Sequence, residues 1–288
     1  ILPYSAIQYM PYPLPDDAFC QNWLDKSKEI VDLYGPDMIY FDSRVNIIAE
    51  KYRREFLRYY YAYADRNNKE IVVTYKQEDF PEGTAIHDME CSRFAETPPF
   101  YWQTDDKQDW KTWCHVQTPD YKSAKWIIHK LVDVVSKNGN LILNVGPRHD
   151  GTFPEGAANI MYEVGDWLKI NGEAIYGTRP FRIYGEGPTR FEKPELNELD
   201  IKEFTAKDIR YTATERAVYA ILLGWPGEQI TMTALSESDS MPFRQIEKID
   251  LIGGPENLSW IRDARGLTVM LPRRNSCSNA YVLKISGK

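Results

Sequence analysis

Two carboxylates stand where the chain could do chemistry. Asp42 closes the apolar run MIYF, and Glu90 lies in the polar stretch HDMECSR beside His87, Asp88 and Arg93. A carboxylate that ends a buried strand emerges at the rim of a β/α sheet, where solvent and substrate meet. Two acids on such rim loops suit glycosidic bond cleavage: one attacks or stabilises the anomeric carbon and the other protonates the leaving oxygen. Competing readings stay open at this point. Asp42 could cap a helix or hold an ion pair after its strand, and Glu90 could be a solvated loop acid with Glu96 as the runner-up. Arg93 could neutralise Glu90 or Glu96, either as a structural ion pair or while contacting substrate. The surroundings hold 8 Trp and 19 Tyr in all. Flat aromatic faces match the apolar C–H faces of pyranose rings, although an aromatic-rich core gives the same count.

The elements that must position these acids alternate in type. CQNWLDKSKEIVDLY (20–34) has helical spacing, with Trp23, Ile30, Val31 and Tyr34 on one side, and it stops at Gly35-Pro36. DMIYFDS follows as a buried strand. Residues 47–67 read as a helix, 70–76 (EIVVTYK) as a strand, 121–137 as a helix, 140–146 (NLILNVG) as a strand and 155–170 as a helix. Between them, roughly 77–119 is a long irregular stretch, of the kind that is usually functional. His129 in WIIHKLV reads as a packed core residue and His149 in GPRHDG as part of a tight turn.

After about Thr178 the texture changes to short alternating runs broken by Gly, Pro, Asn and Asp, which predicts an antiparallel β-sandwich. The expected division is 1–182 as the C-terminal half of a β/α barrel and 183–288 as the sandwich, with 186–200 as a linker. The fold class is therefore α/β, the second half of a (β/α)8-like barrel followed by a β-sandwich. An eight-stranded barrel needs roughly 250 residues, so this stretch alone does not close one. The first half is expected either on a companion chain or missing, which would leave the isolated chain inactive and poorly folded.

The formal net charge of −7 argues against a nucleic-acid partner. No apolar run approaches the ~20 residues that span a bilayer. The start at Ile1 reads as a cleavage or expression boundary. Cys20, Cys91, Cys114 and Cys277 are widely spread, with no CxxC, and read as unpaired, mostly buried thiols. Neither a metal nor a cofactor is expected. An extracellular or periplasmic setting is favoured over a cytoplasmic one. Asn257-Leu258-Ser259 is a glycosylation sequon of use only in a eukaryotic secretory pathway.

The blocks YGPDMIYFDS, VVTYKQEDFP, DMECSRFAETPPFYWQTDD, LVDVVSKNGNLILNVGPRHDGTFPE and WLKINGEAIYGTRPF, in this order, resemble the α-L-fucosidases of glycoside hydrolase family 29. DIRYTATERAVYAILLGWP extends the likeness into the C-terminal domain. The resemblance implies retaining hydrolysis of terminal α-L-fucose, with Asp42 as nucleophile and Glu90 as acid/base. Here ECSR replaces the family's ERGR, which bears on the backbone of that loop. For double displacement the two carboxyls must approach to about 5–5.5 Å, and Glu90 must start protonated. The resemblance further implies substrate contacts at Tyr40, Lys76, Trp102 and Trp113. Core packing competes at Tyr40, a surface lysine at Lys76, and a loop anchor at either Trp. The family's paired fucose-holding histidines belong to the N-terminal half. LPDDAF, VVTYKQEDFP and HDMECSR are closest to the branch acting on α-1,3/1,4-fucosides, so the expected partner is a fucosylated oligosaccharide or glycoconjugate. A catalytically inactive carbohydrate-binding relative is the alternative.

Overall fold

The computed structural model describes residues 14–42, 44–191, 202–273 and 279–288. Most of the expected linker, and Cys277, lie outside them. The chain forms two compact units, 1–88 and 89–288. This division differs from the expected one, since it falls inside the β/α region. The expected boundary between 182 and 183 instead lies within a strand of the antiparallel sheet.

The first unit is a small β/α layer. Helix α1 (Asp17–Tyr34) is capped by Asp16, whose carboxylate accepts from Phe19 N at 2.8 Å, and ends on Gly35 at φ 51°. Its buried face is Cys20, Leu24, Ser27 and Val31, whereas Ile30 and Tyr34 are exposed, contrary to the expected face. Strand β1 (Met38–Tyr40) pairs in parallel with β2 (Val72–Lys76) in the register Tyr40↔Thr74. Helix α2 (Glu50–Arg66) joins them, and β3 (Ile86–Asp88) adds in parallel to β2 with Lys76 opposite Asp88. Strand alternation sorts the side chains. Ile39, Phe41, Val73 and Tyr75 pack with Phe56 and Tyr60 of α2, while Tyr40, Asp42, Thr74 and Lys76 fall to the opposite, polar face.

The second unit begins with another parallel pair, β4 (Trp102–Lys107) and β5 (Gly139–Asn144), joined through helix α3 (Ala124–Ser136). Strand β4 lies in the stretch expected to be irregular, as does β3. Helix α4 (Glu155–Asn171) leads to the antiparallel part. There β6 (Arg179–Glu186), β7 (Ile209–Ala213), β8 (Ala217–Leu222), β10 (Ile246–Leu251) and β13 (Tyr281–Gly287) make a five-stranded sheet in the order 10-13-8-7-6. Against it packs the sheet of β9 (Gln229–Met232), β11 (Trp260–Asp263) and β12 (Gly266–Met270), as a sandwich requires. The larger sheet is buried on both faces. Val218, Ala220 and Leu222 of β8 enter the sandwich core; Ala217, Tyr219 and Ile221 meet Ile127, Ile128, Val132 and Trp167 of α3 and α4. This is why AVYAILL reads as one continuous apolar run rather than an alternating one.

Candidate active site

Phe41 N donates to Thr74 O at 3.0 Å, which prolongs the β1–β2 ladder by one residue. The Phe41 ring then packs against Trp23, Phe56 and Phe80, with centroids 5.3 to 5.7 Å away. That anchor sends the next side chain, Asp42, outward: its carboxylate is 83% exposed. Lys76, at the matching end of β2, is buried at 2% exposure. Its ammonium lies 3.5 Å from Asp42 Oδ1, 3.9 Å from Asp88 Oδ1 and 6.0 Å from the centroid of the half-buried Tyr40 ring. Three expected site residues, Tyr40, Asp42 and Lys76, thus gather in this unit. Asp88, which the sequence reading did not single out, joins them. The loop beyond β2 is fixed by Asp79, whose Oδ1 accepts from Asn46 N at 2.9 Å. Burial raises the Asp79 pKa above the usual carboxylate value.

Glu90 is half-buried in the second unit. Its neighbours are tied to β4: Met89 N donates to Gln103 O and Cys91 N to Asp105 O, each at 2.8 Å. Met89 packs beside Trp102 and Val134, so alternation turns Glu90 to the face opposite α3. Cys91, where the resembled loop differs, adopts a left-handed φ of 50°. Arg93 neutralises neither Glu90 nor Glu96 as its main partner; it reaches Asp133 on α3 at 3.4 Å. Asp133 is fully buried and also meets Lys137 at 3.0 Å and Arg210 of β7 at 2.6 Å. Burial alone would raise the Asp133 pKa, but these three cations outweigh it and hold the carboxyl well below its usual range. A second buried cluster sets Asp106 against Lys122 and Lys130, and there too the cations overcome burial and lower the carboxyl pKa.

Trp102 does not offer a face to a sugar. It is fully buried, its indole N–H donates to Lys137 O at 2.8 Å, and its ring meets Phe94 edge to face at 5.0 Å. The residue type fits a cleft, but β4 turns it toward α3. Trp113 is half-buried in a loop, with the Lys107 ammonium 5.6 Å from its ring centroid. Asp109 shapes that loop by accepting from Lys111 N at 2.8 Å, Thr112 N at 3.2 Å and Asp120 N at 2.6 Å. Gly146 completes the support, because a Cβ there would stand 2.7 Å from His115 N. His129 is buried as expected, and His149 lies exposed in its turn.

Residues 5–173 match the family model described as alpha-L-fucosidase, and residues 202–286 match that of the alpha-L-fucosidase C-terminal domain. The chain belongs to the α-L-fucosidase family. It is 30% identical over 199 residues to the tissue alpha-L-fucosidase of Bos taurus, covering 66% of this chain and 37% of that protein. The plasma alpha-L-fucosidase of Homo sapiens is 31% identical over 181 residues, 61% of this chain and 34% of its own length. The fold is similar to that of Thermotoga maritima alpha-fucosidase, crystallised with a mechanism-based inhibitor. That likeness has a TM-score of 0.74 at 24% identity and covers 98% of this chain and 60% of the other. The chain thus spans little more than a third of the length of the curated relatives it matches. None of these similarities supports the alternative of a non-hydrolytic binding relative.

Proposed function

We propose that the chain is the C-terminal portion of a retaining α-L-fucosidase, with Asp42 as nucleophile and Glu90 as acid/base. The observation that carries this reading is the exposed Asp42 carboxylate held 3.5 Å from a buried ammonium, that of Lys76, inside the stretch matched by the family model. A nucleophilic carboxylate must be reachable and held in one orientation. A buried cation beside one oxygen supplies the second condition without removing the first.

The reaction follows from the two acids. An Asp42 oxygen attacks the anomeric carbon while Glu90 gives its proton to the departing glycosidic oxygen, which leaves a fucosyl–aspartate ester. Glu90, now a carboxylate, takes a proton from water; that water attacks the same carbon, breaks the ester and frees fucose with its configuration retained. Double displacement in general requires its two carboxyls to approach to about 5–5.5 Å. Tyr40 and Trp113 offer ring faces, and Lys76 can also donate to a sugar hydroxyl. The five parallel strands β1 to β5 are too few for a closed eight-stranded barrel. In this reading an N-terminal half on a companion chain completes it, and the assembled enzyme meets fucosylated glycans outside the cytoplasm.

The test is Asp42→Ala in the assembled enzyme, assayed on a Lewis-type trisaccharide and a nitrophenyl fucoside. Turnover should fall by at least three orders of magnitude, and azide should restore part of it on the activated fucoside. The parent should favour the trisaccharide if the α-1,3/1,4 branch is right. An Asp42→Ala variant that keeps its activity would reduce this residue to a structural acid.

A further inference from the structure

The backbone around Glu90 is gripped by side chains that neither the family match nor the proposed chemistry assigns. The Thr104 hydroxyl lies 2.6 Å from Met89 O and 3.0 Å from Ser92 O, and its single proton serves one of them at a time. Lys130 Nζ donates to Cys91 O at 3.2 Å and to Ser92 O at 3.0 Å, and its remaining contact is Asp106 at 3.2 Å. Two of that ammonium's donors are thus committed to the loop carbonyls, and its charge is paired with Asp106. About two turns further on, Lys137 Nζ donates to Phe94 O and to Asp133, each at 3.0 Å. Lys130, Asp133 and Lys137 recur at helical spacing on the face of α3 turned to this loop.

Four carbonyls in six residues thus point at buried donors from β4 and α3. The arrangement has a cost. Two ammonium groups are removed from water, and burial pulls the pKa of Lys130 and of Lys137 down to about 8. Cys91 also sits in the left-handed region, which is unfavourable for a non-glycine residue. Such strain persists only where the surroundings over-determine it, as they do at functional sites. The peptide groups that flank Glu90 are the ones fixed.

We infer that Lys130 and Thr104 are positioning residues for Glu90: by holding the carbonyls of Met89, Cys91 and Ser92, they set the direction in which its carboxyl leaves the backbone. The inference rests on the reading of Glu90 as acid/base. Neither residue touches substrate in this account. Their work is to keep the carboxyl on the line of the glycosidic oxygen, where an error of an ångström can cost about a hundredfold in rate.

The test uses Lys130→Met, Thr104→Val and Glu90→Gln in the assembled enzyme. Each is assayed on a dinitrophenyl fucoside, whose leaving group needs no proton, and on an alkyl fucoside, whose leaving group does. The expected result for Lys130→Met and Thr104→Val is a fall in kcat/KM of about tenfold to a hundredfold on the alkyl fucoside and less than about threefold on the dinitrophenyl one. A purely structural role would lower both alike, through the folded fraction. Glu90→Gln separates the two layers of the argument. If it shows the leaving-group dependence and the other two variants do not, the positioning role is wrong while the acid/base reading stands. If Glu90→Gln lacks that dependence, both fall. Thr104→Val, nearly isosteric, decides the matter should Lys130→Met fail to fold.

Discussion

Lys76 Nζ stands 3.5 Å from Asp42 Oδ1 and 3.9 Å from Asp88 Oδ1, so one buried cation faces an exposed acid and a fully buried one. The two contacts do different things. The buried partner belongs to the fold, and the exposed one is the acid we propose as nucleophile.

Removing the cation should expose that difference. Lys76→Met takes an ammonium away from the buried Asp88 carboxyl, and unfolding stability in urea should drop by on the order of 3 kcal/mol. Adding Asp88→Asn should recover most of that loss. Fucoside turnover should stay low in the double variant, because Asp42 remains without its ammonium. Full recovery of turnover would mean that Lys76 matters only to the fold.

Gly139 is set by packing rather than by backbone conformation. A Cβ there would lie 2.5 Å from Trp102 Cε2 and 2.8 Å from Val134 Cγ1. Gly139→Ala should therefore destabilise the protein by about 1–3 kcal/mol, the usual penalty of overpacking. Near-UV circular dichroism should report the displaced indole. An unchanged melting curve would show that β4 and α3 part more easily than their burial implies.

The stability of the second unit should depend on pH through His129. Burial pulls its pKa from 6.5 down to about 4, and the neutral ring bonds Asn279 O at 2.8 Å. The folded state thus refuses a proton that the unfolded chain accepts below pH 6.5. This contribution is present above that pH, fades as the pH falls toward 4 and stays lost below it, for a total of about 3 kcal/mol. Beside burial, Lys125 and Arg210 press the His129 pKa down and Asp208 pulls it up. Urea midpoints taken from pH 7 to pH 4 should flatten in His129→Gln; an equal slope in both proteins would put the dependence elsewhere.

Much of this architecture was legible before any coordinates, for a reason visible in the residues. MIYF, IVVTYK and NLILNVG are apolar because one or both faces of their strands are covered, and the helices between them carry 3.6-residue patterns. Strand β4 was not legible. WQTDDK is buried along its whole length, yet five of its six side chains are polar, because Thr104 serves the Glu90 loop and Asp106 serves two lysines. A pattern of hydrophobicity cannot reveal a strand whose partners are charges. The same blindness made Trp102 look like a cleft residue and left Arg93 without its true partner, Asp133, forty positions away. The proposal for Asp42 and Glu90 starts from their motifs, whereas the grip on the Glu90 backbone has no local signature.

The two-sided burial of strand β8 has a consequence for how this protein can be altered or inherited. Helix α3 presents Lys130, Asp133 and Lys137 to one neighbour and Ile127, Ile128 and Val132 to the sandwich, and Arg210 of β7 inserts into the same ionic cluster. A sandwich joined in this way cannot be trimmed off or exchanged like a bead on a string. Shortening the gene from its 3′ end would undo the seating of the acid loop long before it reached the codons that specify it.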